Sequence, residues 1–282
     1  MTLKEALVHA REVLAANNLE DIPIESELLL RHALQLSRVQ LYIDLDHELR
    51  NEQEHAFWQL IERRLDGETT AYITEHREFY GLDFYVNPSV LIPRPESELL
   101  VEKALELAQH HTISAIADIG TGCGAIAISL ALNLPQAKIY ATDISASALD
   151  VALINCQKHG VMDRVHLLQG DMLEPLPYAV DLIVANLPYV KESDLSPVRS
   201  ANSEPRMALN GGADGLGKIK QLCSQVNHKL RPEGCLLMEI GLGQREAVTT
   251  LLDSLFPNAE IEVTPDLGGI DRVVSLTLDA NH

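Results

Sequence analysis

The chain is short of cysteine, of basic residues and of long apolar runs, and each shortage closes off a class of protein. Its four cysteines, Cys123, Cys156, Cys223 and Cys235, show no CxxC pairing. Neither a zinc site nor a disulfide framework is expected, and the four read as buried thiols. Lysine and arginine number 22 against 41 acidic residues, a formal net charge of −19. Prolonged contact with bare phosphate backbone draws its affinity from cations that neutralise phosphates. A protein or small molecule therefore ranks ahead of nucleic acid as partner, although Arg63-Arg64 or Arg199 to Arg231 offers a local basic patch. The apolar runs fall well below the roughly 18 residues a membrane span requires, and Met1-Thr2-Leu3-Lys4-Glu5 lacks a signal peptide's hydrophobic centre. A cytoplasmic protein without a membrane partner is expected.

What is present is 282 residues of ordinary globular composition, 46% hydrophobic and 22% charged, enough for one large domain and one small one. Residues 1–75 read as a small helical bundle. Thr2-x-x-Glu5 is a capping-box signature ahead of Leu3, Ala6, Leu7, Ala10, Val13 and Leu14 at helical spacing; Ser26 to Leu36 is a second helix, and Asn51-x-x-Glu54 opens another that reaches Leu65 and stops at Gly67. Its motifs suggest a stabilising or docking appendage without chemistry. Phenylalanine is scarce, and half of the four lie in Phe79 to Val86, an aromatic and β-branched stretch around Gly81 that predicts a hairpin. Leu91-Ile92-Pro93-Arg94-Pro95-Glu96 follows, stiffened by two prolines. Residues 76–96 thus form a hairpin and Pro-rich linker, leading into a helix from about Ser97 to Gln109.

Residues 97–282 alternate strand and helix. Strands are predicted at Ser114 to Ile119, Lys138 to Thr142, Val165 to Gln169, Val180 to Ala185 and Gly234 to Ile240, with helices at Ala125 to Leu134, Ser147 to His159, Leu216 to Leu230 and Gln244 to Leu255. The final strands, Glu260 to Thr264 and Arg272 to Leu278, have no helix between them and are expected to pair antiparallel at one edge. This is the pattern of a doubly wound α/β domain, in which ligands bind at the carboxyl ends of central strands.

Three features fall at such ends. The loop Gly120-Thr121-Gly122-Cys123-Gly124 lets the backbone turn sharply and approach a ligand, with helix-start amides as donors. Asp143 stands about twenty residues on, where a carboxylate accepts both hydroxyls of a ribose. Asp171 can read an adenine amino group, with Met172 against the ring. The loop reads GxGxG where a dinucleotide fingerprint reads GxGxxG, and Ala125 occupies the third such position. The preceding Asp118 adds negative charge that repels a pyrophosphate and suits a sulfonium with its amino group. S-adenosyl-L-methionine is preferred over NAD, with a plain tight turn as the bland alternative.

Asn186-Leu187-Pro188-Tyr189 ends the strand Val180 to Ala185. An amide or exocyclic amine is a poor nucleophile because its lone pair is delocalised. The Asn186 side-chain oxygen and the Leu187 carbonyl can each accept one of its N–H bonds and orient the nitrogen towards a methyl donor, with Tyr189 stacked on the planar group. Direct in-line transfer by alignment, without an obligatory base, is the expected chemistry. An ordinary Asn/Pro turn is the alternative. Glu204-Pro205-Arg206 reads at least equally as an exposed loop, Gly211-Gly212 and Gly215 to Gly217 as loop punctuation, and His110-His111 as surface residues at a helix end.

Taken in order, Leu91 to Glu96, Asp118 to Gly124 and Asn186 to Tyr189 behind a helical domain resemble the HemK/PrmC-type peptide chain release factor glutamine methyltransferases over nearly the whole chain. The resemblance implies a class I, Rossmann-like S-adenosylmethionine-dependent methyltransferase fold with an N-terminal helical domain that docks the substrate. It implies a protein-glutamine N-methyltransferase acting in translation termination on the Gly-Gly-Gln glutamine of bacterial class I release factors. By that likeness Gly120 to Gly124, Asp143, Met172 and Asn186 contact the cofactor, and Asn186 to Tyr189 the substrate. Two departures stand out: Leu187 where the family usually has proline, and Met172 where an aromatic can occur. A ribosomal-protein glutamine methyltransferase, an adenine amino-methyltransferase and a noncatalytic adenosine-binding regulator stay open as alternatives.

Overall fold

The computed structural model describes residues 1–17, 19, 21–195 and 204–279. The chain divides into two compact units that meet in sequence between His76 and Arg77, each with its own apolar core.

The first unit is helical. α1 (Leu3–Ala16) opens on the expected capping box: Thr2 Oγ1 accepts from the Glu5 amide at 3.2 Å while the Glu5 carboxylate accepts from the Thr2 amide at 2.8 Å. α2 (Ile22–Leu34) starts earlier than Ser26 because Pro23 sits in its first turn, where a missing N–H costs nothing. α3 (Arg38–Ile43) is followed by α4 (Asn51–Leu65), whose cap lies one residue before the predicted Asn51: the Arg50 amide donates to Gln53 Oε1 at 3.2 Å. α5 (Thr70–Thr74) closes the unit. Leu7, Leu14, Leu30, Phe57 and Ile61 meet in its core, where truncating one such side chain to alanine costs about 2–5 kcal/mol.

The second unit begins at the hairpin of β1 (His76–Phe79) and β2 (Leu82–Tyr85), turned through Tyr80-Gly81. α6 (Glu98–His110) follows the Pro-rich segment. The chain then builds β3 (Ala115–Ile119), α7 (Ala125–Asn133), β4 (Lys138–Asp143), α8 (Ala146–Lys158), β5 (Val165–Gln169) and β6 (Val180–Ala185). α9 (Gly217–Val226), β7 (Leu230–Glu239), α10 (Arg245–Leu255), β8 (Glu260–Pro265) and β9 (Asp271–Thr277) complete it. β7 corrects the expected boundary: Leu230, assigned from its apolar spacing to the preceding helix, pairs with Val180 instead. An apolar residue at the end of a helical stripe satisfies a strand's buried face equally well.

One seven-stranded sheet runs in the order β5-β4-β3-β6-β7-β9-β8. β3 to β7 are parallel, and β9 lies antiparallel between β7 and β8, with β8 at the edge. All five residues of β3 are buried, as expected for a parallel strand covered on both faces. The crossover from β5 to β6 reverses the winding direction beside β3, the switch point where such sheets hold ligands. Register then sets the site. Ile119 pairs with Thr142 and with Ala185, and Ala185 with Met238. The next residue of each strand, Gly120, Asp143, Asn186 and Glu239, therefore stands in one row beyond the carboxyl ends.

Candidate active site

The glycine loop leaves β3 by donating its Gly120 and Thr121 amides to the Thr142 carbonyl, both at 2.9 Å. Gly120 has φ +71°, a left-handed conformation that favours glycine, and it packs against the Leu187 side chain, where a Cβ would meet Cδ2 at an ordinary 3.5 Å. Asp143 locks the loop from the next strand, its Oδ2 accepting from the Gly122 amide at 3.0 Å and its Oδ1 from the Ser145 amide at 2.9 Å. The Ile144 amide also bonds this carboxylate, and with four lone-pair sites it keeps acceptor capacity for a ligand. Burial raises the Asp143 pKa above the usual carboxylate value.

Around this loop opens a cleft of about 840 Å³, a figure that takes in the open solvent at its mouth. Gly120, Gly122, Asp143, Asp171, Met172 and Asn186 line it, along with Leu187 and Pro188. Met172 is held at φ +49°, unusual for a side chain of this size, and its carbonyl accepts from Thr142 Oγ1 at 3.0 Å. Asp171 Oδ2 accepts from Gln221 Nε2 at 2.5 Å.

Thr121, Cys123 and Gly124 are not on the cleft wall. Thr121 Oγ1 donates to Asp118 at 2.6 Å, the Cys123 carbonyl accepts from Asn155 Nδ2 at 2.9 Å, and Gly124 packs beneath Ile128 and Ala152. These three hold the loop from behind. Asp118, read from the sequence as a ligand-facing charge, also points into the protein. It is 1% exposed and binds Thr121 Oγ1 and the Ala127 amide through a single oxygen, Oδ2. Burial pushes its pKa up to about 6. All four cysteines are buried and unbonded to one another, and burial pushes the Cys123 thiol up to about 12, far from thiolate chemistry.

A second, adjoining cleft of about 350 Å³, its open mouth included, is lined by Arg94, Tyr189 and Glu239 among others. Leu91, Asn186, Leu187, Pro188 and Ala208 line both clefts, so the Asn-Leu-Pro turn is a shared wall. The Leu187 side chain is 4% exposed and belongs to the core beneath the site. Asn186 Nδ2 donates to Ser97 Oγ at 2.8 Å, Ser97 Oγ donates to Glu239 Oε2 at 2.5 Å, and Tyr189 Oη donates to Glu239 Oε1 at 3.2 Å. Burial raises the Glu239 pKa, and burial with the Glu239 charge pushes Tyr189 up to about 12.

Sequence reasoning missed Ser97 and Glu239. Glu239 carried a signal, since it ends the apolar strand Cys235 to Met238 just as Asp143 ends its own. The glycines read as loop punctuation also do more. A Cβ on Gly215 would sit 2.5 Å from the Tyr189 carbonyl and one on Gly211 2.8 Å from that of Pro188, so this loop supports the tetrapeptide directly. The exposed-loop reading of Glu204 is corrected as well: its carboxylate accepts from the Ile92 amide at 3.0 Å and from Arg94 Nη2 at 2.5 Å. In the suggested basic patches Arg63, Arg64 and Arg231 are held in pairs with Glu68, Glu25 and Asp181, and Arg199 lies outside the described residues. No helix among those described is long and apolar enough to cross a membrane.

Comparison with known proteins agrees with this architecture. The PrmC N-terminal domain model matches residues 5–74, and the methyltransferase small domain model matches residues 95–201. The chain is 45% identical to the release factor glutamine methyltransferase of Moorella thermoacetica, covering 96% of this chain and 97% of that one. It is 40% identical to that of Geobacter sulfurreducens, covering 97% and 95%. Among solved structures, a methyltransferase from Pyrococcus furiosus superposes with a TM-score of 0.52 over 71% of this chain and 91% of that one, at 16% identity, a likeness of fold alone. With relatives this similar along nearly its full length, the chain belongs to the release factor glutamine methyltransferase family.

Proposed function

We propose that this protein uses S-adenosyl-L-methionine to methylate the side-chain amide nitrogen of the Gly-Gly-Gln glutamine in bacterial class I release factors. The observation that carries the reading is the shared wall: Asn186, Leu187 and Pro188 line both the larger cleft and the smaller one. A cofactor in the first and an amide in the second would meet at Asn186.

The larger cleft carries groups suited to the cofactor. Asp143 offers its carboxylate to a ribose diol, while Asp171, also on the cleft wall, offers one to an adenine amino group. Ile144 and Met172 supply apolar surface for a ring. Thr121, Cys123 and Gly124 contribute by holding Gly120 and Gly122 in place. When bound, S-adenosylmethionine supplies an electrophilic methyl carbon on a sulfonium. The chain's own part is alignment. Asn186 Oδ1 and the Leu187 carbonyl accept the two N–H bonds of the substrate amide, and Tyr189 packs on its plane, so the nitrogen is held rather than deprotonated.

The part of the helical unit, residues 1–75, in this reading is to dock the protein substrate. Arg63, Arg64 and Arg231 are consumed in ion pairs, which weighs against a nucleic-acid adenine as acceptor. The test is transfer of a tritiated methyl group from S-adenosylmethionine to a purified class I release factor, with the modified residue located by mass spectrometry. Label on the Gly-Gly-Gln glutamine is expected. An unlabelled release factor, or label that persists after that glutamine is replaced by alanine, would refute the assignment.

A further inference from the structure

Ser97 and Glu239 belong to neither motif that marks the site, yet both are buried at its base, 3% and 2% exposed. Ser97 joins the wall of the clefts to Glu239 across 142 positions of sequence. A hydroxyl carries one proton. The 2.5 Å Ser97–Glu239 contact has the length of a charge-assisted bond to a carboxylate, so that proton is committed to Glu239. Ser97 Oγ is then left with lone pairs only on the side facing Asn186, where it can accept but not donate. The Asn186 carboxamide must present its NH₂ to Ser97, and its Oδ1 is thereby turned the other way.

We propose that Ser97 and Glu239 are positioning residues: the Glu239 carboxylate, acting through Ser97, fixes the Asn186 carboxamide with its oxygen towards the acceptor nitrogen, and through its second oxygen it anchors the Tyr189 ring. This deepens the methyl-transfer reading above and rests on it. Without the relay, a carboxamide rotated by half a turn presents two donors to a substrate amide that also has two, and the acceptor nitrogen loses its alignment. Burial raises the Glu239 pKa and Glu96 adds to that, while the donors Ser97 and Tyr189 and the charge of Arg272 favour the carboxylate. Both members are small or isosteric to their replacements, so the relay can be broken without emptying the core.

The experiment compares steady-state methylation of a class I release factor by the full-length protein and by Ser97→Ala and Glu239→Gln, with S-adenosylhomocysteine binding measured by calorimetry on each. In both variants kcat is expected to fall at least tenfold, while KM for the release factor and the cofactor dissociation constant stay within about threefold. A kcat loss of less than threefold in Ser97→Ala overturns the relay, and so does a kcat loss matched by an equal loss of cofactor binding, which marks a general collapse of the site. Should Ser97→Ala fail to fold, Glu239→Gln decides by the same criteria, since it keeps the volume while removing the charge and turning one of the two acceptor oxygens into a donor. An unmodified protein that methylates no release factor removes the parent reading and the relay together, whereas an active protein with equally active variants removes the relay alone.

Discussion

Asp118 supplies a prediction whose sign and size both follow from its surroundings. Its carboxyl is almost fully enclosed, with a pKa raised from 3.8 to about 6. Between those values the unfolded chain releases the proton while the folded protein keeps it. Folding stability therefore falls as pH rises through that window, by about 3 kcal/mol in total, and levels off above pH 6. Thr121 Oγ1 and the Ala127 amide both donate to the same oxygen, so Asp118→Asn, with its amide oxygen in that place, retains both hydrogen bonds and cannot ionise. The variant is expected to match the parent within about 1 kcal/mol at pH 4 and to exceed it by about 2–3 kcal/mol at pH 7.5. Urea denaturation of both proteins at both pH values cancels, in the double difference, the titrating groups that do not interact with Asp118. The sole tryptophan, Trp58, lies in the helical unit, so pulsed hydrogen exchange of the β3 peptide, not fluorescence, assigns the transition to the α/β unit. An equal stability difference at both pH values would show that Asp118 ionises near its ordinary value and that its burial has been misread.

Three further outcomes follow from the site. Asn186→Ala should lower methyl transfer by about 10²-fold while leaving S-adenosylhomocysteine binding within a few-fold, and near-normal transfer in a radiolabel assay would count against the shared-wall geometry. Asp143→Ala removes the acceptor for the Gly122 and Ser145 amides as well as the proposed ribose contact. Calorimetry should register a 10- to 100-fold weaker cofactor, at about 1.5–3 kcal/mol for a lost charged hydrogen bond, and unchanged affinity would exclude it from the site. Gly215→Ala places a Cβ 2.5 Å from the Tyr189 carbonyl at φ +76°, and a loss of at least about 2 kcal/mol is expected from overpacking and left-handed strain; denaturation midpoints unchanged within error would contradict the contact.

The architecture was largely legible in the chain because its signals are local. Strand and helix alternate with clear periodicity, Gly120 to Gly124 can only be a tight loop, and the antiparallel last pair announces itself by its short connection. Side-chain direction was less legible. Nothing in the spacing of Asp118, Asp143 and Asp171 says that the first turns inward to brace the loop while the other two line the cleft, because one residue of phase decides the face. Partners far apart in sequence were least legible. Ser97 reaches Asn186 across 89 positions and Glu204 reaches Arg94 across 110, and such pairs exist only once the sheet is assembled. Gly211 and Gly215 resemble any loop glycines until the Pro188 and Tyr189 carbonyls are seen beside them.

The same assembly explains why this site tolerates little movement in its core. Gly120, Asp143, Asn186 and Glu239 are not neighbours by loop design; they stand abreast because Ile119, Thr142, Ala185 and Met238 are paired in register. Side chains alternate faces along a strand, so a one-residue slip of β6 would bring Leu187 into the row and turn Asn186 to the opposite face. The buried pairings that hold β6 between β3 and β7 thus set the position of the proposed acceptor oxygen as directly as Asn186 itself. Ser97 adds the one degree of freedom that register leaves open, the rotation of the carboxamide about its own bond. On this proposal the sheet fixes where the amide stands, the Glu239 relay fixes which way it faces, and alignment of the substrate nitrogen requires both.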